Sequence, residues 1–338
     1  MPAGRLIAIF DSPELYPLRI DFQKRMISFV RMSQETYRNS VFLDTRTQYL
    51  GKEVYESRVD DILLRDACVS PVAKRVHYIL HPTFSCSTLL ARYFELVPSC
   101  IVLKEPMLLT QMALVPQATV RDWDQLFLMS VRLLTRTYSP DDLAVIKVHE
   151  PCNALASRLL DCDDRATITF VIGPLRQFVL AVLKSKYRRD WVRTRVPFAA
   201  IAAQCPPLMH INPGDLSDAE AAACLWLVNR FLYEQLRSGK HRARVHGLNG
   251  NHLADSPAAT LRAVMSKCSL ALDEPRLKMM IENPLVSRYS KDVSRRYGAV
   301  QRHEEMAELE CRFGADADGA MQWAASRGME CELSGDLN

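Results

Sequence analysis

No two cysteines in this chain are spaced C-x-x-C, although ten are present, at positions 68, 86, 100, 152, 162, 205, 224, 268, 311 and 331. Their spread is not the dense spacing of a secreted disulfide scaffold, so they read as reduced, mostly buried thiols. The chain also lacks any apolar stretch approaching the roughly 18–20 residues that cross a bilayer, and no basic N-terminal segment leads into a signal-type apolar run. These absences predict a soluble, cytoplasmic protein with no membrane span. The histidines form no H-E-x-x-H or Cys/His pattern, so no metal is expected. An excess of one charge is missing too: 43 Lys+Arg against 39 Asp+Glu leave +4. That balance gives no signal for nucleic acid, though local basic clusters can still hold a small polyanion.

Apolar residues are plentiful, at 48% of 338, enough for a sizeable core in one large α/β domain or two modest ones. Residues 1–72 read as an N-terminal extension, partly helical. It has an apolar start at Leu6–Phe10, a charged helical-looking segment from Ile20 to Tyr37, and more charged helix around Val54 to Leu64. From residue 73, strand-like runs at Val76–Leu80, Cys100–Leu103, Leu143–Val148 and Thr167–Ile172 alternate with helical segments. Alternation of this kind predicts a central parallel sheet with crossover helices. Ser217 with Glu220 three residues on is a capping box in front of a largely buried helix, Ala221–Leu236. A further strand is expected at Arg242–Leu248 and a helix at Ala258–Lys267. The charged tail from about 276 reads as helical near Gln301–Phe313.

Three stretches carry chemistry. In the first, Val76-His-Tyr-Ile-Leu80 runs through His81-Pro-Thr-Phe-Ser-Cys-Ser-Thr88 into an amphipathic helix. This is the outline of a phosphate-binding loop without its glycines: His81 and Cys86 occupy the glycine positions and Ser87 the lysine position. Losing the lysine removes the point charge that reaches the β/γ-phosphates of ATP. Backbone N–H groups, hydroxyls and the helix N-terminus can still cradle a phosphate. An ordinary strand-to-helix turn capped by Ser87 and Thr88 also satisfies the pattern, and the two roles are compatible. Cys86 reads as a small packing residue.

In the second stretch, a strand at Leu143–Val148 puts Lys147 and His149 on one face at its carboxyl end, where open α/β sheets bind ligands. His149 suits proton abstraction from a hydroxyl or amine near neutral pH. Lys147 suits stabilising charge on a phosphate leaving group. Glu150 faces the other way and reads as structural. Lys104 and Glu105 follow another strand and could border the same mouth. In the third stretch, Gly173-Pro174 opens a helix bearing Arg176, Lys184, Lys186, Arg188 and Arg189. Arg176 is the better candidate for a second phosphate, while Arg188 and Arg189 read as a helix end complementing the C-terminal dipole.

With these residues in place, the chain resembles the sulfotransferase superfamily of the P-loop type that depends on 3′-phosphoadenosine 5′-phosphosulfate (PAPS), as an atypical, bacterial-like member. Pro82-Thr-Phe-Ser-Cys-Ser-Thr88 is similar to the family's loop for the 5′-phosphosulfate, with one extra residue. Lys147-Val-His149-Glu-Pro151 is similar to the segment whose histidine is the catalytic base. His252 to Leu270 is similar to the family's late segment, a Leu-x-x-Asp-x-Pro-like start, a helix and a short Gly/Ser-Leu end. The resemblance implies a three-layer P-loop fold, a central parallel sheet flanked by helices over residues 73–275, and a helical C-terminal tail, 276–338, covering the site. It also implies sulfuryl transfer from PAPS to a small-molecule acceptor, with PAP (3′-phosphoadenosine 5′-phosphate) as product. His149 and Lys147 would be catalytic, and Pro82, Thr83, Phe84, Ser85, Cys86, Ser87, Thr88, Arg176 and Lys291 would bind the donor. From their place after the strand Cys100–Leu103, and not from the resemblance, Lys104 could contact sulfate and Glu105 orient the acceptor.

The chain departs from the family pattern where Gly173 and Ala181 stand in place of the usual 3′-phosphate Arg and Ser. Arg176, or Arg288, Ser290 and Lys291, would have to supply that contact. Two other readings stay open: a small-molecule kinase or other nucleotide-dependent transferase on the same fold, and a non-catalytic nucleotide-binding or partner module.

Overall fold

The computed structural model describes residues 9–44, 53–67, 75–202, 204–289, 292–296 and 298–328. Ten strands are assigned among them: β1 (Leu15–Asp21), β2 (Met26–Arg31), β3 (Val54–Arg58), β4 (Arg75–Leu80), β5 (Cys100–Lys104), β6 (Leu143–Lys147), β7 (Thr167–Val171), β8 (Val245–Leu248), β9 (Arg288–Tyr289) and β10 (Asp292–Arg296). The protein is α/β, with a five-stranded parallel sheet of order β5-β6-β4-β7-β8 and flanking helices. The four strands expected between residues 76 and 172 are all present. They are short and buried along nearly their whole length, as parallel strands covered on both faces must be. β4 is the middle strand, and the chain crosses to either side of it. The carboxyl end of such a strand is where open α/β sheets bind ligands.

The chain forms two compact units, Met1–Ile79 with Ala91–Ile168, and Leu80–Leu90 with Thr169–Asn338. In the first, β4 and β6 pair in parallel with Ile79 opposite Lys147, and β5 pairs with β6 with Lys104 opposite Lys147. The pairing of β4 and β6 persists one step further, where Val148 N–H donates to the Ile79 carbonyl at 3.1 Å.

The helical reading of Ile20–Tyr37 is corrected. β1 and β2 form an antiparallel hairpin, and a six-residue helix follows at Gln34–Asn39. The charged residues that looked like a helix face lie in the turn. Asp21 Oδ1 accepts from the N–H groups of Gln23 (3.1 Å) and Lys24 (2.9 Å), and Arg25 takes a left-handed φ of 50°. An Asx turn with a left-handed residue behind it reverses the chain where a helix would continue it. Likewise Val54–Leu64 is a strand, β3, followed by a helix over Val59–Asp66. The free edge of β1 is covered by Gln111, whose amide accepts from Ile20 N–H (2.9 Å) and donates to Ile20 C=O (2.8 Å).

In the second unit, the capping box is present as expected. Ser217 Oγ accepts from Glu220 N–H at 3.2 Å, and the Glu220 carboxylate accepts from Ser217 N–H at 2.8 Å, opening a helix over Asp218–Ser238. Its core residue Trp226 is wholly buried and spends its indole N–H on the Gly173 carbonyl, 2.9 Å away. Helices Leu175–Leu183 and Ala299–Ser326 pack on it and on each other. The tail is thus helical over a longer range than expected, and it is preceded by the small β9–β10 pair, which the sequence reading had not anticipated.

Candidate functional site

The loop after β4 takes left-handed backbone at three positions, none of them glycine. Thr83, Phe84 and Cys86 have φ of 76°, 47° and 63°. Non-glycine residues in this left-handed region cost on the order of 1–3 kcal/mol each, and they persist only where their surroundings enforce them. Several contacts do so. His81 Nδ1 accepts from Thr83 N–H at 2.9 Å. The Phe84 ring lies 6.3 Å from Phe178 and 6.3 Å from Trp191, with the Arg188 guanidinium 4.4 Å over its face. Gly250 presses its backbone onto the loop so closely that a Cβ there would stand 2.1 Å from the Ser85 carbonyl oxygen. The Cys86 carbonyl accepts from Leu89 and Leu90 N–H, starting the helix Ser87–Glu95.

Pro82, Ser85, Ser87 and Thr88 are all buried. The hydroxyls of Thr83 and Ser85 are shielded from solvent, yet neither has a hydrogen-bond partner among the described residues. Buried hydroxyls are rarely left unpaired without a reason. A tetrahedral oxyanion at the mouth of this helix would give both a partner.

A cation that the sequence reading did not single out also reaches this loop. Arg302, in the C-terminal helix, places Nη1 3.0 Å from Cys86 Sγ and donates through Nη2 to Asn251 Oδ1. Asn251 is itself held by Gln177, its Nδ2 donating to Oε1 at 2.7 Å, and by Asn249, whose Oδ1 accepts Asn251 N–H at 3.1 Å. No local pattern in the tail marks Arg302. The one hint was the absence of a cation from the loop itself.

Arg176, the cation expected at the second phosphate, is engaged by the C-terminal helix. It binds Glu310 through Nε and Nη2 and Asp318 through Nη1, the last at 2.5 Å. Those carboxylates push its pKa above the usual arginine value. Ser290 and Lys291 lie outside the described residues, and Arg288 is exposed at the start of β9. Arg188 and Arg189 donate to the last carbonyls of the helix Leu175–Leu183, to Ala181 at 2.5 Å and Leu183 at 2.7 Å. This is the dipole-complementing role foreseen for them.

In the first unit, His149 follows β6 directly. It is half-buried, with extended backbone (φ −76°, ψ 149°), and its carbonyl starts the short 3-10 helix Glu150–Leu155 by accepting Cys152 N–H at 2.9 Å. Lys147, 1% exposed, bonds the Glu105 carboxylate and lies over the Phe42 ring, 5.8 Å from its centroid. Glu105 has a left-handed φ of 56°, and its N–H donates to the Lys147 carbonyl at 2.7 Å. Glu105 and Lys147 are therefore one buried ion pair at the carboxyl ends of β5 and β6.

Lys104 is directed elsewhere. Its ammonium binds Glu95 and the Arg38 carbonyl, the latter at 3.3 Å. Burial pushes the Glu95 pKa up and that of Lys104 down, and Arg92 and Lys147 nearby lower Lys104 further. Lys104→Met should therefore cost about 3–5 kcal/mol of stability by leaving the Glu95 carboxylate without its bonded partner. Adding Glu95→Leu should recover most of that loss, which denaturant unfolding of the single and double variants will read. Equal instability of the two would contradict the pairing.

The first unit thus carries the buried Glu105–Lys147 pair and His149 at its strand ends, and the second a loop with three left-handed non-glycine residues that leads into a helix N-terminus. No protein-family model matches the sequence, and no curated protein matches it. Among solved structures, a sulfotransferase from Mycobacterium tuberculosis H37Rv is similar at 12% identity and a TM-score of 0.42, over 76% of this chain and 82% of that one. The sulfotransferase domain from the curacin biosynthetic pathway is similar at 13% identity and a TM-score of 0.39, over 71% of this chain and 98% of its own. A sulfotransferase from Mycobacterium avium is similar at 11% identity and a TM-score of 0.39, over 81% and 80%. Likeness at this level concerns the fold; donor, acceptor and residue roles rest on the chemistry of this chain.

Proposed function

We propose that the chain is a cytoplasmic, PAPS-dependent sulfotransferase that moves a sulfuryl group to a hydroxyl or amine of a small-molecule acceptor. The observation that carries this reading is the 81–88 loop. Its left-handed backbone and the orphaned hydroxyls of Thr83 and Ser85 suit a tetrahedral oxyanion, and Ser87 at the lysine position removes the charge ATP chemistry uses. PAPS supplies the sulfuryl group and an activated phosphate leaving group. The backbone N–H groups of Phe84–Thr88, together with the hydroxyls of Thr83, Ser85, Ser87 and Thr88, would hold its 5′ end at the helix N-terminus. His149 would take the proton from the acceptor. Lys147, fixed by Glu105, would place positive charge at the strand end. Arg176 would meet the other phosphate by exchanging its Glu310 and Asp318 carboxylates. The chemistry would thus be positioning plus electrostatics, with no metal required.

Calorimetric titration of the full chain with PAP, ADP and ATP with Mg²⁺ tests the reading. PAP is expected to bind most tightly. A preference for ATP would instead make the chain a kinase, and binding of none of the three would leave it a partner module.

A further inference from the structure

In the second unit, several cations on the helices around the loop are neutralised locally. Arg176 binds Glu310 and Asp318, Lys184 binds Glu305, and Arg189 and Arg193 share Asp218. Arg302 differs from these. Half-buried, it contacts a thiol and an amide oxygen, and no carboxylate pairs with it among the described residues. The thiol does not neutralise it, because burial pushes the Cys86 pKa up and keeps it protonated. A partly exposed guanidinium with no counter-charge is left able to take an anion through its N–H fork. The side chain is also fixed in position, since Asn251 holds it and is held in turn by Gln177 and Asn249. It meets the loop at Cys86, one residue from Ser85, whose buried hydroxyl has no partner.

We infer that Arg302 is an anion-binding residue that replaces, from 216 residues further along the chain, the lysine this loop lacks. It would bind the 5′ phosphate or phosphosulfate of the donor together with the hydroxyls of Thr83 and Ser85. The assignment rests on PAPS being the donor and adds a specific contact to it. On binding, the guanidinium exchanges a weak N–H···S contact for charge-assisted N–H···O bonds, while Asn251 keeps its aim. Ser87 at the usual lysine position is then no defect, because the charge arrives from the C-terminal helix.

The test is calorimetric titration of wild type, Arg302→Gln and Arg302→Lys with PAP, adenosine 5′-monophosphate and adenosine 3′-monophosphate, at two salt concentrations. Unfolding temperatures measured without ligand establish that each variant is folded. Arg302→Gln is expected to weaken PAP and the 5′-monophosphate by about 10- to 100-fold, to leave the 3′-monophosphate unchanged, and to flatten the salt dependence. Arg302→Lys, which keeps the charge without the fork, should fall between wild type and Arg302→Gln. If wild type binds PAP and Arg302→Gln binds it equally well, the inference is wrong while the donor reading stands. Equal losses for the 5′- and 3′-monophosphates would also overturn it, by placing Arg302 away from the loop's anion. Should Arg302→Gln fail to fold, the Lys variant decides: a loss for PAP and the 5′-monophosphate that spares the 3′-monophosphate supports the assignment, and unchanged affinity for all three, or equal losses for the 5′- and 3′-monophosphates, overturns it. Failure of wild type to bind PAP would remove the donor reading and this assignment together.

Discussion

Arg136→Met should lower the unfolding free energy by about 4 kcal/mol or more, the largest stability effect expected of any single substitution discussed for this chain. Arg136 is 2% exposed, yet no carboxylate pairs with it among the described residues. Its guanidinium is spent on backbone carbonyls: Leu133 at 2.6 Å, Ser12 at 2.7 Å, Leu15 at 2.7 Å, and Ile9. Three of the four belong to the segment that leads into β1, so one side chain from the end of the helix Trp123–Leu134 fastens the start of the described chain. Burial pushes its pKa down to about 10, which leaves it protonated at neutral pH but shows that desolvation is only partly offset. Methionine fills the volume and satisfies none of the carbonyls. Each buried acceptor left bare costs about 1–3 kcal/mol, against a typical domain stability of about 5–15 kcal/mol. Arg136→Lys should rescue less than half of the loss, because an ammonium cannot spread over four acceptors as a planar fork does. A denaturant midpoint for Arg136→Met within error of wild type would rule out the anchoring role.

His149→Ala should reduce kcat on an identified acceptor by about 10²–10⁴-fold, the range for loss of a general base. PAP affinity and unfolding temperature should stay near wild type, because His149 is half-buried at a strand end. The contrast with its neighbour makes the test sharp. Lys147→Ala would strip the Glu105 carboxylate of a buried partner and act first on stability, so activity lost in that variant says little about chemistry. A near-normal kcat in His149→Ala would assign proton abstraction to another group.

The parallel strands were legible because each is a short apolar run bounded by turns, and the Ser217/Glu220 box was legible because a cap is a local pattern. The hairpin at Leu15–Arg31 was misread because Lys24 and Arg25 sit at helix-like spacing from their neighbours. Only the Asp21 side chain's bonds to the following N–H groups reveal the turn. The loop at 81–88 was recognisable in outline, but its left-handed backbone at Thr83, Phe84 and Cys86 was not, since those positions carry none of the residues that favour it. Arg136 and Arg302 act across 121 to 127 and 216 residues respectively. Separations of that size leave no periodic trace in a single sequence. The Lys104 and Lys147 pairings depend on which way each strand-end side chain leaves the sheet, a choice that composition does not encode.

Gly250, wedged against the Ser85 carbonyl, has a thermodynamic consequence for any ligand of the loop. Because the turn after β8 and the Phe84 cluster already impose the shape of residues 83–86, the unfavourable backbone angles are set when the chain folds and do not recur when an anion arrives. Binding then forfeits little conformational entropy in the loop, and the anion's interactions are not consumed in reshaping it. A glycine-rich loop would reach the same shape without strained angles but at a larger loss of backbone entropy on folding. Here the cost is carried instead by the left-handed angles of Thr83, Phe84 and Cys86 in the folded chain.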